Sequence, residues 1–247
     1  MTGPFERRME RARELHPRFP EAAPLTQLYV PVLELQQEIF DAALPAILGP
    51  GRLLDFYPRL LQIVKRRGPE ALAKAGEQWP PSEESLVAFW HGDRESSEGA
   101  QFFVRALLQP WAERLRASSP ALEQEWGVGE GCPFCAAPPA AAVLRSEGDG
   151  GKRSLLCSLC SGEWVFRRIV CPCCGETDKE KLPSYRSEEI AHVRVEACDT
   201  CRTYIKTVDL TVDGHAVPVV DELVTLSLNI WAEESGYGKR EPNLLGL

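Results

Sequence analysis

Cys132-Pro-Phe-Cys135, Cys157-Ser-Leu-Cys160, Cys171-Pro-Cys-Cys174 and Cys198-Asp-Thr-Cys201 repeat one spacing four times within residues 132–201. A Cys-x-x-Cys turn sets two sulfurs on the same side of a tight knuckle, and two knuckles complete a tetrahedral four-thiolate site. One pair means little. Four pairs, which use eight of the nine cysteines, predict two metal sites. The candidate ligands are Cys132, Cys135, Cys157, Cys160, Cys171, Cys174, Cys198 and Cys201. Zinc and iron both accept tetrahedral thiolates, so the cofactor expectation is two metal ions in four-cysteine sites, iron or zinc.

A weak internal repeat orders the pairs. A knuckle beginning Cys-Pro is followed by a linker with strand character, a second knuckle and an aromatic strand; Trp164 and Tyr204 hold the aromatic place, displaced from each other by one residue. Duplication predicts sequential pairing, first knuckle with second and third with fourth. A cross-braced pairing, first with third, is the alternative. Gly175 follows the third pair, where a close backbone approach suits N–H···S bonds, and Ala136, Ser161 and Arg202 hold the matching positions. Cys173 stands between two ligands; an inert thiol, a reactive thiol and a substitute ligand are all open readings.

Short β-like runs separate the knuckles: 141–145, 154–156, 164–170, 190–196 and 204–210. Ribbons this small need a metal to be stable. Upstream of Gly127 there is no cysteine and the pattern turns helical. Leu28, Val32, Leu35, Ile39, Ala43 and Ile47 predict a helix over 25–48 that ends at Gly49-Pro50-Gly51. Further helices are predicted over 58–67, 69–78 and, after the N-cap Ser82, from 83 onward. One more spans 100–117, with Phe103, Leu107, Trp111 and Leu115 on one stripe and Pro110 inside it. Residues 219–235 predict a closing helix, with Gly236 just past its end, and the tail over 236–247 is expected to be extended. The fold expectation is α+β: an N-terminal helical bundle, two small zinc-ribbon-like four-cysteine modules and a C-terminal helix. The expected domains are 1–126, 127–168, 169–216 and 217–247.

Composition narrows the function. The formal charge is −8 over 247 residues, and eight thiolates with two divalent ions would take it to about −12. Nucleic-acid binders usually carry a basic face, so a zinc-ribbon reading of that kind is disfavoured. No apolar run reaches the ~18 residues of a membrane span, and the charged N-terminus lacks a secretory pattern, so the expected location is cytoplasmic. There thiols stay reduced, which favours metal over disulfides. No Walker loop, dinucleotide fingerprint, nucleophile elbow or HExxH helix occurs, and two four-ligand sites leave no open coordination position. No enzyme activity is expected. His16, His91, His192 and His215 read as structural or surface residues, and Trp90 and Trp111 as core.

The motif order resembles the FdhE formate dehydrogenase accessory proteins. Cys132-Pro-Phe-Cys135 comes first, then Cys157-Ser-Leu-Cys160 with Glu163, Trp164, Arg167 and Arg168. Cys171 to Gly175 follows, then Cys198 to Cys201 with Tyr204-Ile205-Lys206. Asp221-Glu222-Leu223, Leu226, Leu228, Gly236-Tyr237 and Asn243 extend the likeness to the C-terminus. The family's first knuckle is usually followed by glycine, where this chain has Ala136, and Asn229 stands at a usually acidic position. The resemblance implies a helical bundle and two rubredoxin-like modules. It also implies a cytoplasmic maturation factor whose partner is the formate dehydrogenase catalytic subunit. Glu163, Trp164, Arg167, Arg168, Asp221, Glu222, Tyr237 and Asn243 are the candidate partner contacts. A redox-active iron protein that passes electrons during maturation is the alternative.

Overall fold

Local sequence signals account for most helix boundaries in the computed structural model, which describes residues 3–42, 49–93, 98–119, 127–129, 131–147 and 150–247. The chain divides into two units, Met1–Pro120 with Leu244–Gly246, and Ala121–Asn243 with Leu247.

The first unit contains α1 (Pro4–Leu15), α2 (Ala23–Asp41), α3 (Tyr57–Arg67), α4 (Glu70–Gln78), α5 (Glu83–Trp90) and α6 (Glu98–Ala117). Of the positions that predict α2, Leu28, Val32, Leu35 and Ile39 are buried, while Ala43 and Ile47 lie outside the described residues. Ser82 caps α5, its hydroxyl accepting from the Ser85 amide at 3.2 Å. Phe103, Leu107 and Trp111 of α6 are buried as one stripe, and the Trp111 ring meets Trp90 at 5.1 Å. Pro110 has no N–H to offer the Ala106 carbonyl, and Gln36 of α2 donates Nε2 to that oxygen at 2.9 Å. A buried two-pronged ion pair, Arg8 with Glu113 at 2.9 and 3.0 Å, ties α1 to α6.

The second unit is built on β1 (Pro139–Glu147), β2 (Gly150–Cys157), β3 (Glu163–Val165), β4 (Ser184–Arg186), β5 (Val193–Cys198) and β6 (Thr203–Asp209). Two helices follow, α7 (Pro218–Val224) and α8 (Leu226–Glu234), and then β7 (Gly238–Lys239). The two ribbons share one seven-stranded sheet in the order β3-β2-β1-β6-β5-β4. The join is a parallel pairing of β1 with β6, Ala141 opposite Lys206 through Leu144 opposite Asp209. β7 takes the other end of the same β6 edge, opposite Thr203 and Tyr204. Side chains alternate across a strand, so Trp164, Leu155, Ala142 and Thr207 share one face, and Tyr204, Lys206 and Val208 share the other. The one-residue displacement between Trp164 and Tyr204 therefore sends the two aromatics to opposite faces.

Three expectations change in detail. The strand expected over 164–170 stops at Val165, because the Arg167 carbonyl turns to accept from Arg153 Nη1 at 3.2 Å. The closing helix is two helices broken at Thr225. There the Thr225 hydroxyl takes the Asp221 carbonyl at 2.9 Å, and Lys206 takes the Glu222 carbonyl. These acceptors are lost to the continuing helical ladder. The tail, expected to be extended, contributes β7 and then turns back, with the Asn243 amide donating to Leu247. The end of α8 follows its sequence signal: Gly236 has φ 81°, its amide bonds to Glu233, and the Tyr237 amide bonds to Ala232.

Candidate metal centres

Each knuckle is a tight loop closed by its own backbone. The Ala136 amide donates to the Cys132 carbonyl at 2.8 Å, Gly175 to Cys171 at 3.0 Å and Arg202 to Cys198 at 2.8 Å. These closures need a left-handed residue straight after the second cysteine, and all four knuckles have one. Ala136, Ser161 and Arg202 sit at φ 56°, 50° and 55°, and Gly175 at 80°. Amides then point at sulfur: Phe134 to Cys132 at 3.4 Å, Leu159 to Cys157 at 3.3 Å and Cys173 to Cys171 at 3.4 Å.

The cysteines assemble sequentially. Cys132, Cys135, Cys157 and Cys160 form one cluster and Cys171, Cys174, Cys198 and Cys201 the other, with all sulfurs of a cluster within 4.8 Å of one another. Cys132 lies 3.5 Å from Cys160 and Cys135 3.4 Å from Cys157. Cys171 lies 3.7 Å from Cys201 and Cys174 3.6 Å from Cys198. A tetrahedron with metal–sulfur bonds of about 2.3 Å has edges of about 3.8 Å, so both clusters fit an ion without rearrangement. The thiols disturb one another strongly. Hydrogen bonds from Cys135, Cys157 and Cys160 hold Cys132 below the ordinary thiol range, whereas burial pushes Cys157 well above it. In the second cluster burial raises Cys171; at Cys201 burial is outweighed by hydrogen bonds from Thr203, and its value falls to about 6. A divalent cation held by these four sulfurs would relieve this conflict, because it would favour the ionised form of all four together.

The clusters differ in shelter. Three of the four cysteines in the first are buried, whereas Cys174 in the second is exposed. Cys173 is half-buried, and Arg240 Nη1 donates to its sulfur at 3.2 Å.

The candidate contact residues fall into two groups. Arg167 and Arg168 are exposed, and Glu163 is half-buried against Arg145 at 3.3 Å. Trp164, Asp221, Glu222, Tyr237 and Asn243 are buried. Asp221 accepts from the Val217 amide and faces His192 Nε2, both at 2.7 Å. Glu222 pairs with Lys206 at 3.1 Å and with Lys239, and accepts from Asn243 Nδ2 at 3.1 Å. Burial alone would raise Glu222, but the two ammonium groups overcome it and hold the carboxyl at about 2. The Tyr237 hydroxyl donates to Asp199 at 2.6 Å beneath the Arg202 guanidinium. His192, Asp213 and Asp221 also converge, yet their polar atoms already serve loop and helix ends, as the Asp213–His215 amide bond at 2.9 Å illustrates.

Sequence reasoning passed over Arg153, Arg194, Glu196 and Lys206. Arg153 and Arg194 both hold Glu196, at 2.8 and 2.7 Å, on the Trp164 face of the sheet. The available signal was charge at alternating positions of β5, which also fits a solvated strand.

Fold and sites together define a class: a helical unit joined to a double four-cysteine ribbon on one sheet. Comparison with known proteins gives that class a family. Residues 131–168 match the model described as "FdhE, central domain" and residues 169–245 the model "FdhE, C-terminal domain". A protein named "Protein FdhE homolog" from Aquifex aeolicus is 31% identical over 77% of this chain and 69% of its own length. One of the same name from Pseudomonas aeruginosa is 31% identical over 98% of this chain and 89% of its own. The crystal structure of the FdhE protein from Pseudomonas aeruginosa superposes with a TM-score of 0.76, at 28% identity, over 98% of this chain and 95% of that one. The chain belongs to the FdhE family.

Proposed function

We propose that the protein is a non-catalytic, cytoplasmic formate dehydrogenase accessory factor. It binds the catalytic subunit of that enzyme through a surface that two metal ions hold in shape. The observation that carries this reading is the completeness of both cysteine clusters. Four converging sulfurs each leave no coordination position for a substrate, so the ions serve structure or electron transfer rather than hydrolysis. Membership of the FdhE family supports that client, and the eight cysteines are the proposed metal ligands. Exposed Arg167 and Arg168, with Glu163, are the direct contacts. The buried Trp164, Asp221, Glu222, Tyr237 and Asn243 act by fixing the surface beside them.

A second reading is favoured by one observation, the exposure of Cys174. Iron at the second cluster would be open to a redox partner, and the pair of modules would then pass electrons during maturation. Anaerobic purification from iron-supplied cells separates the two: a red protein with a reversible thiolate-to-iron band supports electron transfer, and a colourless zinc protein ends it.

The docking role is tested by capture of tagged protein from its host's lysate, beside a Cys171→Ser/Cys174→Ser variant. Retention of the formate dehydrogenase catalytic subunit by the native form alone is the expected result. Absence of that subunit, with the enzyme expressed, rejects the role.

A further inference from the structure

The face of the sheet that carries Trp164 is not the face of Lys206, which α7 covers. On the Trp164 side β4, β5 and β6 floor a cleft of about 500 Å³, walled by the segment from Arg168 to Cys173 and by Lys179 and Leu182. It lies wholly within the second unit and touches the second cysteine cluster.

The charge in this cleft runs against the rest of the chain. Arg153, Arg168, Arg194, Arg240 and Lys179 line it against one carboxylate, Glu196, and against Cys171 and Cys198 of the second cluster, whose four thiolates would carry about −2 with a divalent ion, in a protein of formal charge −8. Glu196 answers two guanidiniums at once, Arg153 at 2.8 Å and Arg194 at 2.7 Å, while Asp209 reaches Arg194 only at 3.5 Å. Arg240 spends Nη1 on the Cys173 sulfur, and its Nε is buried without an acceptor among the described residues. Among the described residues, Lys179 has only a loose neighbour, Glu180 at 3.8 Å. Between these cations the wall is apolar. Ile169 stands 56% exposed at the rim, with Leu182 and Ile205 deeper in. A long polyanion would meet repulsion from the acidic remainder of the molecule. A short acidic segment would not, and an apolar side chain next to its carboxylates would cover Ile169.

We propose that this cleft takes an extended segment of the partner protein that presents carboxylates beside an apolar side chain. The carboxylates meet Arg168, Arg240 and Lys179, and the apolar side chain rests on Ile169 and Leu182. The inference deepens the docking role proposed above and rests on it.

The test uses the full, metal-loaded chain and two fluorescein-labelled peptides, Leu-Glu-Asp-Leu-Glu-Asp-Leu and its amide counterpart Leu-Gln-Asn-Leu-Gln-Asn-Leu, read by anisotropy. The acidic peptide should bind at least about tenfold tighter. Arg168→Glu and Ile169→Asp should each weaken it by about tenfold or more at unchanged metal content, while Arg66→Glu, on α3, should not. Equal binding of both peptides, or no effect of either cleft variant, overturns the inference. Displacement by free citrate as effective as by unlabelled peptide also overturns it, in favour of a small-anion site. The same variants are scored for capture of the formate dehydrogenase catalytic subunit. Capture undiminished by Arg168→Glu and Ile169→Asp places docking elsewhere and rejects the cleft. Peptide binding without any capture upholds the cleft chemistry and rejects the formate dehydrogenase role instead.

Discussion

Lys206 is a lysine in a strand position that the sheet and α7 bury completely. Its ammonium serves the broken end of α7, reaching Thr225 Oγ1 at 3.2 Å and the Thr225 carbonyl at 3.3 Å, beside Glu222. Burial outweighs the Glu222 charge and brings its value down to about 8 from the ordinary 10.5. Between those values the unfolded chain holds the proton more tightly than the folded one, so stability rises with pH through that window. Over the full window the rise amounts to about 3 kcal/mol. The measurement is urea denaturation of metal-loaded native protein and Lys206→Met at intervals from pH 8 to 10; Tyr57, Tyr204 and Tyr237, all raised, titrate in the opposite sense towards the top of that range in both proteins. Lys206→Met should lose that share of the rise and keep the share that the metal-bound thiolates supply; a native-minus-variant difference that is flat or falls with pH contradicts the assignment. None of this is visible in Tyr204-Ile205-Lys206, which marks a strand and a family likeness but not what the ammonium touches. The same blindness affects Asp221, Glu222 and Asn243, where motif position gives no measure of burial.

At the scale of the element, the knuckles were the most legible part of the chain, because a thiolate tetrahedron is a local constraint written in spacing. The repeat gave the pairing as well, since each ribbon brings its own two knuckles together. Left-handed backbone after every second cysteine was legible only at Gly175, where glycine announces it. Ala136, Ser161 and Arg202 adopt the same conformation against their steric preference. Ala136→Gly should therefore strengthen the first knuckle by about 1 kcal/mol. This would be read as slower release of the first ion to a chelator, with unchanged release from the second; faster release would place a compensating contact on the Ala136 methyl. The break at Thr225 and the strand β7 were not legible. Both depend on hydrogen bonds to residues far along the chain, and periodicity carries no record of such partners.

For the whole molecule, the sequence predicted two small modules in series, and the structure adds their fusion into one sheet. The join at β1 and β6 makes each ribbon an edge partner of the other, so loss of one ion is felt at both. A Cys198→Ser/Cys201→Ser variant should release the ion of the intact first site about tenfold faster to a chelator than the native protein does. An unchanged rate would mean that the ribbons hold their ions independently. In the native protein the second site, with Cys174 exposed, should empty before the first.

The parallel pairing also fixes an order in time. Ala141–Leu144 and Lys206–Asp209 are about 65 residues apart in the chain, so this contact is non-local and slow to form. During synthesis the first hairpin can close as soon as β2 emerges, yet one edge of β1 stays bare until β6 has left the ribosome. A product cut short before Thr203 keeps that edge, an apolar strand of Ala141, Ala142, Val143 and Leu144 with unpaired amides, which invites aggregation and proteolysis. Sheet closure thus acts as a proofreading step, sparing only chains translated through β6.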